Sequence, residues 1–149
     1  MMTTMVACLA VNLFWEARGE PLPAQVAITN VVLARAADPR FPNTPCEVIR
    51  EGPVGKNGVH LRWRCQFTWL CDGQVDTIKK ADADAYRSAV YVVEGVLTGA
   101  YDDGFIDTSG ATYYHTTAVS VAWPFATPPN TTAVIGSHVF YRLPQGVAR

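Results

Sequence analysis

The sequence predicts an α+β fold, mainly helical with a small antiparallel sheet, in a single domain that spans residues 1–149. Apolar residues recur at helical spacing in the first part of the chain and again over residues 76–97, and two segments near the C-terminus have the composition of strands. A chain of 149 residues can bury one proper core, and no linker or repeat divides it.

The first two helices are predicted from apolar periodicity and from the residues that bound them. The first spans residues 3–17 and stops at Gly19, because glycine readily takes the left-handed conformation that ends helices. The second spans residues 22–36 and follows Pro21, since proline is favoured in the first turn of a helix. The Asp-Pro sequence at residues 38–39 closes it.

The middle of the chain is predicted to contain a short helix, an extended segment and the longest helix. Thr44 and Glu47 form a capping box around a proline, which predicts a helix at residues 45–51. The segment HLRWRCQFTWLC, residues 60–71, alternates apolar and mostly polar side chains, which favours extended chain. Small apolar residues at helical spacing predict the longest helix at residues 76–97.

The C-terminal third is predicted to form the sheet. ATYYHTT and HVFYRL are rich in aromatic and β-branched residues and predict two strands. A loop rich in proline, threonine and alanine separates them and contains Trp123. Helices followed by strands are typical of an α+β arrangement.

The charge balance excludes some classes of partner. Twelve basic and thirteen acidic side chains give a net charge of −1 without long runs of either sign, so nucleic-acid binding is not expected. No apolar run approaches the roughly 20 residues that cross a membrane, so stable membrane insertion is not expected. The N-terminal segment lacks the basic residues of a signal peptide, which predicts synthesis in the cytoplasm without one. A monomer is the expected state.

The four cysteines, Cys8, Cys46, Cys65 and Cys71, leave two interpretations open. Free buried thiols are common in protein cores, and no C-x-x-C pair indicates a metal knuckle. The alternative is a disulfide among Cys46, Cys65 and Cys71, which would indicate an oxidising compartment. Because the capped helix should pack against the extended segment, we expect Cys46 to lie near Cys65 or Cys71.

Glu16 is the leading candidate for a catalytic residue. It lies seven positions after Leu9, four after Asn12 and three after Leu13, so it continues a largely apolar face of the first helix. A carboxyl held in a poorly solvated place has a raised pKa and can act as a general acid. The alternative is an ordinary exposed glutamate at the end of a helix.

A second acid follows Glu16 at the end of the first helix. Glu20 comes four residues later, and the two acids bracket Arg18. The arginine could hold one carboxylate ionised while burial keeps the other protonated. Such a pair suits cleavage of a glycosidic bond, because the leaving oxygen must be protonated as the bond breaks.

Aromatic side chains are concentrated in segments predicted to be extended or looped. They are Trp63, Phe67, Trp69, Tyr113, Tyr114, Trp123 and Tyr141. The apolar faces of sugar rings stack on such side chains, so a groove lined by them would fit a polysaccharide, although each ring taken singly is more often part of a core. Trp69 and Trp123 have turn residues nearby and are the better candidates for the groove.

A zinc site is the main chemical alternative. His115 and His138, with Asp72, Asp102 or Asp107 as a third ligand, would suit a zinc-dependent N-acetylmuramoyl-L-alanine amidase. None of these residues has the close spacing typical of metal ligands. We therefore expect neither a metal nor another cofactor.

Several stretches taken together resemble one family. LAVNLFWEARGEP, QVAITNVVLAR, DPRFPNTPCEVI, CQFTWLCDG, SGATYYHT and IGSHVFYR are similar, in that order, to cell wall hydrolases of the spore cortex-lytic type (SleB/CwlJ). The resemblance implies a lysozyme-like helical core, peptidoglycan glycan strands as the substrate, and Glu16 as the essential acid. The lack of a signal peptide and of a wall-binding domain is more similar to a bacteriophage endolysin, which would reach the wall from the host cytoplasm through membrane holes made by another protein.

The reaction that the resemblance implies is that of a lytic transglycosylase. Glu16 would protonate the oxygen of the β-1,4 bond between N-acetylmuramic acid and N-acetylglucosamine, and then accept the proton of the muramoyl C6 hydroxyl as a 1,6-anhydro ring closes. If water attacks instead, the enzyme is a muramidase, and Glu20 or Asp72 would position the water.

The expected substrate contacts come from several segments. They are Arg18, Gln66, Phe67, Trp69, Tyr114, His115, Trp123 and Tyr141. The remaining alternative is a non-catalytic glycan-binding protein of a phage particle, for which replacing Glu16 with glutamine would change neither binding nor lysis.

Overall fold

The computed structural model describes residues 2–102, 108 and 110–149, and within them four α-helices precede a three-stranded sheet. The helices are α1 (Met2–Ala17), α2 (Leu22–Ala37), α3 (Pro45–Ile49) and α4 (Ala83–Leu97). The strands are β1 (Tyr113–Thr116), β2 (Thr131–Ile135) and β3 (His138–Tyr141). Short 3-10 helices lie at Thr68–Cys71, Lys80–Asp82 and Pro128–Asn130. The α+β class predicted from the sequence is confirmed.

The first three helices begin and end at local signals. Gly19, with a φ of +82°, lies just beyond α1 and turns the chain toward Pro21, the N-cap residue of α2. At α3 the Thr44 hydroxyl accepts a hydrogen bond from the Glu47 N–H at 3.2 Å and donates one to the Glu47 carboxylate at 2.8 Å. This capping box confirms the predicted start of the short helix.

Helix α4 begins later than predicted. The expected helix over residues 76–97 is regular only from Ala83, and a 3-10 turn precedes it. The apolar stripe that the helix buries, from Ala85 to Val96, lies entirely within the regular part. Ile78 packs against the core from outside the regular helix, so burying its side chain does not require residues 76–79 to be helical.

One hydrophobic core joins the helices to the sheet. Helix α1 packs against each of the other three helices, and α2 packs against α3 and α4. The most deeply buried side chains of this core include Leu9, Leu13, Ile28, Val31, Val32, Val48, Val93 and Phe140. Because Phe140 belongs to β3, the sheet is part of the same core. No helix in the described part of the chain is both long and apolar enough to cross a membrane.

The sheet is antiparallel with strand order β1-β3-β2. In β1, Tyr114 stands opposite Phe140 and therefore faces the core. Its neighbours Tyr113 and His115 point to the other face, because successive side chains of a strand alternate. The sequence prediction missed β2, which the two-residue turn Gly136-Ser137 joins to β3.

The prediction of an extended segment at residues 60–71 is wrong. The chain there forms turns and a 3-10 helix, and Trp63 takes a left-handed φ of +63°. The alternation also fails, because Leu61 and Trp63 are exposed whereas Cys65 and Phe67 are buried. The physical reason is that a disulfide between Cys65 and Cys71, with Cα atoms 6.1 Å apart, closes this stretch into a compact loop.

The interpretation of a disulfide among Cys46, Cys65 and Cys71 is confirmed by the Cys65–Cys71 bond, but Cys46 pairs outside that set. Cys8 of α1 is bonded to Cys46 of α3, and their Cα atoms are 5.5 Å apart. None of the four cysteines is free, and Cys46 does not pair with Cys65 or Cys71. The short helix packs on α1 rather than on the loop, which places Cys46 opposite Cys8.

Candidate active site

Glu16 lies in the last turn of α1 and is half-buried. Its Oε2 accepts a hydrogen bond of 2.7 Å from the Tyr114 hydroxyl. Strand β1 supplies this tyrosine because its register places Tyr114 on the face that meets the helices. The carboxyl is therefore held by an element far from it in sequence, and it does not point freely into bulk solvent.

Opposing effects act on the acidity of Glu16. Burial raises the pKa of its carboxyl, and this is the largest effect. The hydrogen bond from Tyr114 and the positive charge of Arg35 both favour the carboxylate and lower that pKa by less. A carboxyl with a raised pKa holds its proton to a higher pH, and two nearby groups stabilise the anion that is left once the proton is donated.

Tyr114 itself remains protonated. Burial, followed by the proximity of Glu16, raises its pKa well above the ordinary value. Its ring packs against Phe140 and lies edge-on to His138, with centroids 5.6 Å apart for the latter pair. The phenol is thus fixed as a hydrogen-bond donor to Glu16.

Arg35 of α2 is a buried cation behind this site, and its side chain is only 2% exposed. Its Nε donates to the Thr112 carbonyl at 2.6 Å, two residues before Tyr114. The guanidinium carbon lies 5.3, 5.7 and 5.0 Å from the ring centroids of Phe41, Phe67 and Tyr113. Among the described residues, Nη1 has no hydrogen-bond acceptor.

Burial lowers the pKa of Arg35 to about 10, so the guanidinium is still positive at neutral pH. The functional hypothesis from sequence did not include this residue. The signal for it was an arginine on the same helical face as Ile28, Val31 and Val32, a position where a charge is rarely placed.

The structure corrects the expected partner of Arg18. This side chain forms an ion pair of 2.6 Å with Asp82 and lies over the Phe14 ring, and it does not bridge Glu16 and Glu20. The cation that acts on the Glu16 carboxyl is Arg35. Arg18 remains half-exposed at the end of α1.

Glu20 contacts the turn between β2 and β3 and the first residue of β3. One of its carboxylate oxygens accepts a hydrogen bond from the Ser137 hydroxyl at 3.1 Å, and the other lies 3.9 Å from Nδ1 of His138. His138 is buried and its Nδ1 has no hydrogen bond among the described residues. Burial lowers the pKa of His138 more than the Glu20 carboxylate raises it, so its ring is neutral at neutral pH.

The other proposed second acid, Asp72, follows the 3-10 helix of the disulfide loop. Its carboxylate accepts a hydrogen bond of 2.7 Å from the Gln74 N–H, which closes a local turn. This contact directs the side chain into its own loop.

Trp69 lies beside the helical turn that precedes Glu16. Its indole Nε1 donates to Oδ1 of Asn12 at 2.9 Å, and Asn12 is buried one turn before the acid. The Cys65–Cys71 disulfide closes the loop that carries this tryptophan. In the same loop Phe67 is buried beneath Arg35, whereas the Gln66 side chain is exposed.

His115, Trp123 and Tyr141 lie together on the other face of the sheet. His115 Nε2 is 2.8 Å from the Tyr141 hydroxyl, and the two rings are stacked. Trp123 meets both rings edge-on, at centroid distances of 5.9 and 6.3 Å. Of the expected substrate contacts, the structure therefore brings Tyr114 and Trp69 to the α1 side and places these three elsewhere.

The two histidines are badly placed to share a zinc ion. His138 stands opposite Thr116, on the face of Tyr114, whereas His115 is on the reverse face. The described residues contain no group of three or more His, Cys, Asp or Glu side chains that could hold a metal. Asp107, named as a third ligand, lies outside the described residues.

Comparison with known proteins gives one family. A family model described as Cell Wall Hydrolase matches residues 19–141, a range that begins just after Glu16. The chain is 32% identical over 142 residues to the spore cortex-lytic enzyme of Halalkalibacterium halodurans, covering 91% of this chain and 34% of that protein. It is 38% identical over 85 residues to that of Bacillus subtilis, covering 54% of this chain and 24% of the relative. The chain thus spans well under half the length of these curated relatives.

Two solved structures share the fold. The catalytic domain of the Bacillus cereus SleB protein matches with a TM-score of 0.67 and 26% identity, over 94% of this chain and 91% of that one. The catalytic domain of the germination-specific lytic transglycosylase SleB from Bacillus anthracis matches with a TM-score of 0.64 and 27% identity, over 92% and 93%. The expected lysozyme-like fold is confirmed.

Proposed function

The chain belongs to the cell wall hydrolase family, and on that premise we propose that residues 1–149 form one catalytic domain that cleaves the glycan strands of bacterial peptidoglycan. The substrate is proposed from the family and from the relatives, which are spore cortex-lytic enzymes. The single core that joins the helices to the sheet supports one domain.

The proposed reaction is that of a lytic transglycosylase with Glu16 as the general acid and base. Protonated Glu16 donates to the oxygen between N-acetylmuramic acid and N-acetylglucosamine as that bond breaks. The resulting carboxylate accepts the proton of the muramoyl C6 hydroxyl. The C6 oxygen then attacks the anomeric carbon and closes a 1,6-anhydro ring. No water is consumed, and Glu16 ends the cycle protonated again.

The observation that carries this proposal is the environment of the Glu16 carboxyl. Burial keeps it protonated to a higher pH than usual, while Tyr114 and Arg35 stabilise the anion that forms on proton donation. General acid–base catalysis of this kind typically accelerates a reaction about 10²- to 10⁴-fold. Trp69, which is hydrogen-bonded to Asn12 one turn before the acid, is the side chain proposed to stack a sugar ring.

Two alternatives have less support. A muramidase needs a second carboxylate to position water. The Glu20 carboxylate, however, is hydrogen-bonded to Ser137, and the Asp72 carboxylate is hydrogen-bonded to Gln74 of its own loop. A zinc amidase needs clustered ligands, but His115 and His138 point to opposite faces of the sheet.

The two disulfides support activity outside the reducing cytoplasm, because such bonds persist in oxidising surroundings. That location agrees with a substrate in the cell wall. Release as a phage endolysin stays a prediction.

Glu16→Gln tests the proposal, because glutamine keeps the shape and the hydrogen bond to Tyr114 but cannot donate a proton as an acid. The variant is expected to fold and to lose wall lysis, while Glu94→Gln, an exposed change of the same kind on α4, retains it. Lysis by folded Glu16→Gln at the native rate would refute the catalytic role.

Mass spectrometry of the digested wall identifies the bond that is cleaved. We expect 1,6-anhydro-muropeptides. Reducing-end muramic acid would indicate a muramidase, and freed stem peptides an amidase. If the native protein released no product and Glu16→Gln bound the wall as well as the native protein does, the chain would be a non-catalytic glycan-binding protein.

A further inference from the structure

A cavity of about 490 Å³ lies against the sheet face that is turned away from Glu16. Its walls are the side chains of the loop before β2, one residue of β1 and the last residues of the chain. They include Tyr113, Trp123, Phe125, Asn130, Val147 and Arg149. Among the residues that the structure describes, no acidic side chain lines it.

Flat aromatic faces form much of this cavity. The rings of Trp123 and Phe125 are nearly parallel, at 15°, with centroids 5.6 Å apart. Tyr113 meets them at 5.2 and 4.6 Å. His115 and Tyr141 support Trp123 from the sheet, so its ring is held in place before any ligand arrives.

Polar groups are placed among these rings. The side-chain Nδ2 of Asn130 donates to the Phe125 carbonyl at 3.0 Å and to the Thr127 hydroxyl at 3.3 Å, which fixes the orientation of its amide. Arg149 also lines the cavity, and its guanidinium is anchored by the Arg40 carbonyl, by Glu51 and over the Phe41 ring. Stacking surfaces combined with a few fixed polar groups are typical of a site for a small amphipathic ring.

We propose that this cavity is a second glycan site, which binds an N-acetylhexosamine unit of the wall polymer. The inference rests on the proposed function, because the wall glycan is the ligand to which the active site would bring this protein. The apolar face of the sugar would stack on Trp123 and Phe125, and its hydroxyl and acetamido groups would meet Asn130 and Arg149.

The second site is separated from the acid by the sheet. Tyr113 and Tyr114 are adjacent in β1, so their side chains point to opposite faces, and only Tyr114 contacts Glu16. A glycan unit in the cavity would therefore hold the enzyme on the polymer without occupying the position beside Glu16. Two contacts on one long ligand raise the effective concentration of each for the other.

Indole N–H resonances test this proposal in the Glu16→Gln protein, which does not consume the ligand. The probe is a tetrasaccharide of alternating N-acetylglucosamine and N-acetylmuramic acid. The Trp69 signal reports the α1 side and the Trp123 signal reports the cavity. We expect both signals to shift, with different half-saturating concentrations.

Phe125→Leu removes one flat ring, keeps an apolar side chain and leaves Trp123 as a reporter. It is expected to raise the half-saturating concentration of the Trp123 response about 3- to 10-fold, the effect of losing one ring contact. It is also expected to weaken sedimentation of the protein with purified insoluble peptidoglycan. Tyr91→Ala, an exposed aromatic change on α4, is the matched control and should alter neither measurement.

Two results would overturn the proposal. A Trp123 signal that stays still while the Trp69 signal saturates would show that the cavity binds no glycan. A common midpoint for both signals, weakened equally by Phe125→Leu, would show one continuous cleft instead of two sites. An unchanged starting position of the Trp69 signal in the variant confirms that the fold is intact. Activity of Glu16→Gln on the wall, by contrast, would refute only the proposed catalytic role.

Discussion

Tyr114 donates a hydrogen bond of 2.7 Å to Glu16 across a separation of 98 residues. The bond joins the end of the first helix to the first strand of the sheet. It opposes the effect of burial on the carboxyl, since burial favours the protonated acid and the phenol favours the carboxylate. The pKa of the proposed catalyst is therefore determined by groups from different parts of the fold.

Tyr114→Phe is expected to shift the pH dependence of kcat/KM toward higher pH. Removing a bond that lowers the pKa of Glu16 lets that pKa rise, so the acid stays protonated further into the alkaline limb. The rate at the optimum should fall, because the carboxylate formed on proton donation loses a donor. The free energy of unfolding should drop by about 1 kcal/mol. Tyr91→Phe is the control, and an alkaline limb that moves to lower pH would contradict the assignment.

The charge of Arg35 is expected to affect the pKa of Glu16, and its packing is expected to affect the free energy of unfolding. Arg35→Gln removes the positive charge, so the pKa of Glu16 should rise and the alkaline limb of the rate profile should move upward. Arg35→Lys keeps the charge and should move the limb less. Both variants lose stacking on three rings and should unfold with about 1–3 kcal/mol less free energy, measured by urea titration. Equal pH profiles for the two variants would show that the charge of Arg35 does not act on Glu16.

Glu16→Gln is expected to gain stability over the native protein as the pH rises. The folded-state pKa of Glu16 is raised, so its contribution to folding is complete below the unfolded-state pKa and is lost as the pH rises through the folded-state pKa. Glutamine does not ionise and keeps a constant contribution. Urea titrations of both proteins from acid to neutral pH should show a difference that grows across that window. A difference that stays constant would mean that burial does not raise the pKa of Glu16.

The two disulfides are expected to differ in their effect on stability. In the chain-entropy description, the Cys8–Cys46 bond, with a sequence separation of 38, contributes about 4 kcal/mol and the Cys65–Cys71 bond, with a separation of 6, about 2 kcal/mol. The paired serine variants should show this order in urea. Thiol titration of the unfolded, unreduced protein should detect no reactive cysteine, and four reactive thiols would contradict both bonds.

The helices were predictable because their signals are local. Gly19, Pro21 and the Thr44–Glu47 capping box lie within a turn of the ends that they determine, and the apolar stripes repeat within each helix. Residues 60–71 were predicted wrongly because their alternation resembles that of a strand, whereas a disulfide between residues of that same stretch determines the conformation. The turn signal Gly136-Ser137 was present in the sequence and could have revealed β2.

The candidate acid was predictable, but its environment was not. The apolar face of α1 pointed to Glu16, and the nearest arginine in sequence, Arg18, suggested a local ion pair. In the structure Arg18 forms an ion pair with Asp82, and the groups that act on Glu16 are Arg35 and Tyr114 from other elements. These interactions depend on tertiary packing. The same holds for Trp123, which the alternation of β1 separates from Glu16.

The burial of Arg35 matters for engineering the stability of this protein. Replacing a buried charged network as a whole by apolar side chains can stabilise a core, whereas removing one member of it destabilises the protein. The guanidinium of Arg35 also lowers the pKa of the Glu16 carboxyl, so any replacement of Arg35 made for stability would alter the acidity of the proposed catalyst as well. Stability and the pH range of the proposed activity are thus coupled through a single residue.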